Sequence, residues 1–332
     1  MKNKLISAKQ VDIEVTSACN LKCRFCPGLG TKPQHMDVDL YKSIIDRIDF
    51  PTTVVPWLNG EPLLHPKYLE LIKYTDEAGL RYYITTNGMV FKKDLFDYIM
   101  RKDSNCYQII ISLDGIPGSK SIELARPGSD AMKVLETIAY LNHQRPKGST
   151  LDIAVKICRR GQDWQEIEEY ISYWLERGID FVIVGDQLVE ENNPEGFRRS
   201  PCQYSDNNFM VIKVDGRVVR CAYNTEATNN HDYTMGDVNN DLPLLEIYNN
   251  SWFQKFREDQ AEGIFHGPCK TCGFPYTGEG FEGEIKFRNK NLTQKKIYFH
   301  RDYYNSFFSY KKKRKKREYY KQGFQGEVKY VR

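Results

Sequence analysis

Between residues 10 and 185, short β-branched apolar runs alternate with stretches whose apolar positions recur every three or four residues. The runs at 10–16, 52–58, 81–85, 107–113, 151–158 and 179–185 predict strands. The stretches between them, 38–48, 66–78, 91–102, 130–144 and 163–177, predict amphipathic helices. Strands joined through helices lie parallel, and right-handed crossovers curl such a sheet around. Six units fall short of the eight that close a barrel. The expected fold is therefore α/β, a partial (β/α)6 TIM-like barrel.

Alternation within a strand divides it into two faces. Across 151–158, Ile153, Val155 and Ile157 belong against helices, which turns Asp152, Ala154, Lys156 and Cys158 into the lumen. The same reasoning turns Glu14, Trp57 and Tyr83 inward, and a slip of one residue would reverse each assignment.

Beyond residue 185 the chain is richer in Gly, Asn and Pro. Residues 209–214 and 217–220 flank Asp215-Gly216 and read as a hairpin, with Cys221 directly after it. A helix expected over 244–258 leads toward Cys269-Lys-Thr-Cys272, and no internal repeat is visible. The expected organisation is a barrel at 8–190, a small cluster-binding domain at 191–285 and a tail at 286–332.

Charge sharpens that division. The chain has 332 residues and a net charge of +4, but residues 286–332 hold 16 Lys+Arg against 3 Asp+Glu. The other 285 residues carry 32 basic and 41 acidic side chains, so an acidic body bears a strongly basic tail. No apolar run is long enough for a membrane span, and no apolar stretch follows the basic start, so a cytoplasmic protein without a membrane partner is expected. In that compartment the nine cysteines are better read as metal ligands or catalytic groups than as disulfides.

The chemistry-bearing residues gather on one face. Cys19–Cys26, Asn59-Gly60-Glu61-Pro62, Asn87-Gly88 and Ser112-Leu113-Asp114-Gly115 each follow or end a predicted strand. Carboxyl ends of strands are where barrel active sites are built. Cys19, Cys23 and Cys26 place three thiolates on one loop, which suits an iron–sulfur cubane with one open iron. Zinc is the competing reading, but it wants a fourth ligand and His35 lies beyond Pro27 and Pro33.

With Pro27 behind it, this run resembles the CxxxCxxC signature of the radical S-adenosylmethionine (SAM) superfamily. Asn59-Gly-Glu-Pro62 resembles that family's GGEP segment, and Thr86-Asn-Gly88 and Ser112-Leu-Asp-Gly115 recur at the expected strand ends. Asn59 stands where glycine is commoner, and backbone contacts to SAM should survive it. The resemblance implies that Cys19, Cys23 and Cys26 hold a [4Fe–4S] cluster whose open iron chelates SAM. It implies that Phe25 sits against the adenine and that Gly60 and Glu61 bind the methionyl amine. Asn87, Ser112 and Asp114 become candidates for the ribose and its surroundings, and Arg126 for the SAM carboxylate. An electron donor such as flavodoxin or ferredoxin would reduce the cluster.

Cys202, Gly216 and Cys221, followed by Cys269 and Cys272, resemble the superfamily's SPASM or shorter twitch domain. No cysteine follows Cys272, which implies one auxiliary [4Fe–4S] cluster with four protein ligands. A structural zinc site is the alternative.

Other residues carry two readings each. Cys158 is a hydrogen-atom donor or a small buried hydrophobe, and Cys106 is packing. Lys156 and Glu14 are general acid/base groups or partners in a lumen salt bridge. His65 is a loop-packing residue. The tail run Lys311–Arg317, among aromatics, would bind nucleic acid or another anionic partner, or is a solvated segment docked on the acidic body, the favoured reading. The expected reaction is hydrogen abstraction from a sugar- or cyclitol-like small molecule, ending in dehydrogenation or epimerisation. Peptide modification ranks second, because the chain begins almost at its first strand. A non-catalytic iron–sulfur or zinc protein that binds nucleic acid is the reading from another class.

Overall fold

The computed structural model describes residues 5–159, 164–186, 202, 204–205, 209–222, 233–270 and 297–299. Six parallel strands form its centre: β1 (Gln10–Ile13), β2 (Thr53–Val55), β3 (Arg81–Thr86), β4 (Cys106–Ser112), β5 (Asp152–Arg159) and β6 (Phe181–Asp186). Helices α1 (Val38–Asp46), α2 (Tyr68–Glu77), α3 (Lys93–Ile99), α4 (Lys120–Ala125), α5 (Ala131–Gln144) and α6 (Trp164–Glu176) lie between consecutive strands, α4 and α5 sharing one crossover. The caps are local chemistry: Asp37 accepts from the amides of Asp39 and Leu40, and Asp130 from those of Met132 and Lys133. Apolar faces such as Tyr41, Ile44 and Ile45 of α1 then bury against the sheet.

The sheet order is β10-β6-β5-β4-β3-β2-β1-β7-β8-β9, so β1 and β6 do not meet and the barrel stays open. The edge of β1 is taken by β7 (Phe209–Ile212), which pairs with it in parallel, and β8 (Arg217–Val219) and β9 (Thr234–Asp237) continue antiparallel. Helices α7 (Leu244–Tyr248) and α8 (Ser251–Ala261) follow. The single helix expected over 244–258 is broken because the Asn250 side chain turns back to cap the amide of Phe253 and starts a new helix. Strand two ends at Val55 because Pro56 has no N–H for the ladder. Inside the segment read as a tail, β10 (Ile297–Phe299) pairs in parallel with β6; Lys311–Arg317 lies outside the described residues.

Two apolar layers confirm the strand parity. Val11, Ile13, Val54, Ile84, Ile109, Ile111, Ile153, Val155 and Ile157 pack in the outer core beneath the helices, with Cys106 at the far end of β4. Val55, Tyr83, Tyr107, Ile110, Ala154, Phe181 and Ile183 form a separate cluster inside the lumen, with Trp57 against it. A break in register between Tyr82 and Tyr83 lets Cys106 face outward while Tyr107 faces in.

Glu14 points inward as expected, but its partner is not Lys156. Lys213, just after β7, lies 2.8 Å from both Glu14 carboxylate oxygens, and the amide of Val214 donates to one of them. Both side chains are at most 5% exposed. Parallel pairing of Asp12 with Val211 and Ile13 with Ile212 carries the next residues, Glu14 and Lys213, into apposition. Removing one partner of a buried pair strands the other charge. Lys213→Met should therefore lower unfolding stability by about 3–5 kcal/mol in urea titration, and Glu14→Leu/Lys213→Met should recover most of that loss.

Candidate active site

The loop after β1 is held from three sides. The hydroxyl of Ser17 donates to the Lys32 carbonyl and accepts from the Gln34 amide, while Thr16 Oγ1 donates to the Gln34 carbonyl and accepts from the Ala18 amide. These bonds fold residues 28–35 back alongside the strand end. His65 packs edge to face on His35 and bonds the Met36 carbonyl through Nε2, so it is a loop-packing residue. Burial lowers its pKa and favours the neutral ring.

Glu61 ties the remaining strand ends together. Its amide donates to the Ala18 carbonyl, and its buried carboxylate accepts from Thr86 Oγ1 at 2.8 Å, the Asn87 amide at 2.7 Å and the Leu63 amide at 3.2 Å. Burial pushes its carboxyl up to about 7 against those bonds. Gly60 lies so close to the preceding loop that a Cβ there would meet the carbonyl oxygens of Thr16 at 2.2 Å and Ala18 at 2.8 Å. Asn59 fits because its side chain leaves that crowding: Nδ2 reaches Glu14 at 3.3 Å, and Cβ packs against Gly28.

Among the cysteines of this loop, Cys23 is buried, Cys26 half-buried and Cys19 exposed. Burial raises all three thiols, Cys19 to about 11, so metal loading must displace their protons. Cys19 feels the charge of both others. Among the described residues no three His, Cys, Asp or Glu side chains converge as one bound ion would require. The donor set instead fits a cluster: three sulfurs, each free of a disulfide, met by polar donors. Leu21 N lies 3.5 Å from Cys19 Sγ, Asn87 Nδ2 4.0 Å from the same sulfur, and an Arg126 guanidinium nitrogen 3.7 Å from Cys23 Sγ.

Arg126 joins this loop to β4 and β5. Its Nε lies 2.6 Å from one Asp114 oxygen, the other Asp114 oxygen accepts from the Cys158 amide at 2.7 Å, and the Phe25 ring lies 5.4 Å from the guanidinium. Burial opposes the charge of Arg126, but Asp114 and Cys23 outweigh it and hold the guanidinium ionised. Asp114 is wholly buried, so its carboxylate acts as a brace for Arg126. Cys158 is half-buried beside Arg126, and Lys156 is half-buried in register with Ser112 and Ile183 on the lumen wall.

Of the second cysteine set, Cys202 and Cys221 share an apolar cluster with Leu58, Tyr204, Phe209, Val211 and Val219. The Cys202 amide bonds Gln260 of α8, and Cys269 is buried just beyond that helix. Cys272 lies outside the described residues. Sequence reasoning passed over Gln10, Asp12 and Lys213. The alternation that turned Glu14 inward turns Gln10 and Asp12 inward as well, and was not followed down the strand.

The family model described as the radical SAM superfamily matches residues 13–192. The chain belongs to the radical SAM superfamily. A second model, an iron–sulfur cluster-binding domain named SPASM, matches residues 202–273. This radical SAM protein is 30% identical to mycofactocin maturase MftC of Mycobacterium ulcerans, over 78% of this chain and 79% of the relative. It is 22% identical to a tungsten-containing aldehyde ferredoxin oxidoreductase cofactor-modifying protein of Pyrococcus furiosus, over 64% and 70%. Its fold is shared by BtrN solved with AdoMet and 2-DOIA (TM-score 0.52, 20% identity, 80% of this chain and 93% of that one). It is shared also by Streptococcus suis SuiB bound to S-adenosylmethionine (0.62, 16%, 82% and 72%). Membership brings a [4Fe–4S] cluster with SAM, and the SPASM region brings auxiliary iron–sulfur. No helix among the described residues is long and apolar enough to cross a membrane.

Two expected outcomes test this geometry. Gly60→Ala should lower both the iron bound after anaerobic reconstitution and the melting temperature, since backbone must move to admit the methyl group. Asp12, in the lumen, is pushed by burial to about 7. Its folded pKa thus exceeds the unfolded value, so the stability it contributes is full below about pH 4 and is lost as pH rises through about 7. Asp12→Asn should raise the stability measured by denaturant titration at pH 8, by up to about 4 kcal/mol, and leave it little changed at pH 4.

Proposed function

We propose that this radical SAM enzyme oxidises a carbinol carbon of a sugar- or cyclitol-like molecule held in the lumen, with Lys156 as the group that takes the hydroxyl proton. Lys156 carries this reading. It stands on the lumen wall, and its side-chain nitrogen has no hydrogen bond or ion pair among the described residues, whereas Glu14 is matched by Lys213 and Asp114 by Arg126. A carbon-centred radical beside a hydroxyl makes that hydroxyl far more acidic than in the parent alcohol. An amine at hydrogen-bonding distance is then a competent base.

When bound, the cluster and SAM supply the 5′-deoxyadenosyl radical that accepts the substrate hydrogen. Around it, Cys19, Cys23 and Cys26 would hold the cluster and Phe25 would lie against the adenine. Gly60 and Glu61 would shape the methionyl site through their backbone, and Asn87 and Ser112 would border the ribose. Arg126, braced by Asp114, would face the SAM carboxylate. Removing a second electron needs an acceptor, and Cys202, Cys221, Cys269 and Cys272 are the site this chain offers for it. If the outcome is inversion instead, Cys158 is the thiol placed to return a hydrogen atom, and a Cys158→Ala variant that still inverts would end that role. A peptide side chain is the second substrate reading; SuiB, which shares the fold, is seen with its precursor peptide SuiA.

Anaerobic reconstitution of the wild type and of a Cys19/Cys23/Cys26→Ala variant tests the core of this reading. We expect about eight irons in the wild type, about four in the variant, and dithionite-dependent 5′-deoxyadenosine release from the wild type alone. Absence of release from the wild type would overturn it. Once a substrate is found, Lys156→Met should lower its oxidation by about 10²-fold or more while 5′-deoxyadenosine release persists; equal losses in both would assign the base elsewhere.

A further inference from the structure

Two buried ion pairs flank the cysteine loop, and they meet it through members of opposite charge. At Cys23 the cation makes the contact: one Arg126 guanidinium nitrogen lies 3.7 Å from Sγ while Nε is held by Asp114. At Cys26 the carboxylate is the nearer member. Asn59 donates to Glu14 Oε1 at 3.3 Å. The Asn59 Cβ and the Cys26 sulfur both crowd one point over Gly28, where an added Cβ would meet them at 2.8 and 3.7 Å. Glu14 is held in turn by Lys213, 2.8 Å from each carboxylate oxygen and one link further from Cys26 in this chain of contacts. Burial is the chief cause that raises both thiols. Arg126 opposes the rise at both sulfurs, and the negative charge of Glu14 adds to it at Cys26.

Lys213 comes from outside the barrel. It follows β7 and precedes the Asp215-Gly216 turn, whose second strand leads into Cys221, and it lies within the SPASM match. The pair is thus a charge contact between the region that carries the second cysteine set and the loop that carries the first. Holding β7 on β1 does not require charge. The parallel ladder from Gln10 to Ile13 already joins them, and apolar side chains of the same shape would pack there about as well. Charge adds something that apolar packing cannot. One-electron reduction of a [4Fe–4S] cluster adds a negative charge, and a buried, weakly screened charge nearby opposes or favours that step according to its sign.

We propose that Glu14 and Lys213 set the reduction potential of the cluster held by Cys19, Cys23 and Cys26. Glu14 lowers it, and Lys213 limits that fall. The inference rests on this cysteine loop holding the first cluster, and it adds what governs electron uptake there. Both are positioning residues in the electrostatic sense: they act on the cluster through its surroundings and touch no substrate. Displacing the β7–β8 hairpin would carry Lys213 away and leave Glu14 unopposed, so the first cluster is easier to reduce when the second cysteine region is docked on β1.

The test is a potentiometric titration of the reconstituted full-length enzyme, with dithionite as the electron source and electron paramagnetic resonance as the readout. The first cluster is the one whose signal changes when SAM is added. Working at about pH 6.5 favours the charged form of a lysine that has lost its carboxylate. Glu14→Gln, which keeps the shape, should move the equilibrium toward the reduced cluster by about tenfold or more, which is about 59 mV for a one-electron couple. Lys213→Met should move it the other way by less, and Glu14→Gln/Lys213→Met should fall between wild type and Glu14→Gln. Asn59→Ala removes a bond but no charge and should shift the potential less than Glu14→Gln does. Where Lys213→Met does not load its iron, Glu14→Gln and the double variant decide. An unchanged potential in Glu14→Gln would overturn the proposal. So would single variants that shift in the same direction, as general loosening around the cluster would produce. A wild type without any SAM-responsive cluster would sink the cysteine-loop reading and this proposal together. A SAM-responsive cluster indifferent to Glu14 would sink the proposal alone.

Discussion

One buried carboxyl group sets the geometry on which the rest of the site depends. Glu61 sits in the loop that follows β2, yet its bonds reach the loop after β1 through its amide and the end of β3 through its side chain. Three strand ends that are remote in sequence are thereby fixed relative to one another. Each bond exchanges the desolvation cost of a backbone or hydroxyl group for a partner. A shorter or uncharged side chain could not close all three at once. The cysteine loop inherits its position from this knot, because Ala18, one residue before Cys19, is one of its anchors.

Charge around the knot is distributed with the same economy. Arg126 is neutralised by Asp114, which simultaneously fixes the amide of Cys158. Glu14 is neutralised by Lys213, and the same carboxylate receives Asn59 from the loop that precedes Glu61. These buried pairs contribute little net stability beyond what apolar groups of the same shape would give. What they contribute is registration: each holds an element of the site against an element that reaches it from elsewhere in the chain. Among the described residues, neither the Lys156 side-chain nitrogen nor the Asp12 carboxyl on the opposite wall takes part in such an ion pair.

Much of this was legible in the sequence. The period-two alternation gave both faces of β5 and the inward turn of Glu14 after β1, and it put Cys19–Cys26 directly after a strand, at its carboxyl end. What the sequence did not disclose was long-range pairing. Nothing local says that Lys213 rather than Lys156 meets Glu14, since that follows from β7 joining the free edge of β1. Nor does composition show that Ile297–Phe299, inside a basic and aromatic stretch, completes the other edge of the sheet. The break at Asn250 was hidden because the apolar period continues across it while a single capping side chain ends one helix and begins the next.

The open barrel gives these pieces a common purpose. Because β7 rather than β6 lies beside β1, the lumen keeps a gap, and the hairpin of β7 and β8 extends the lumen wall through Phe209, Val211 and Val219. That hairpin returns the chain to the end of the sheet where Phe209 pairs with Gln10, and Cys221 joins the same apolar cluster as Phe209 and Cys202. The cysteine loop lies at the opposite end of β1. A strand advances about 3.3 Å per residue, so Gln10 to Glu14 spans roughly 13 Å of the lumen wall. Lengthening β1 would move the Cys19–Cys26 loop away from the end where Cys221 joins Phe209, so this four-residue strand sets the distance between the two.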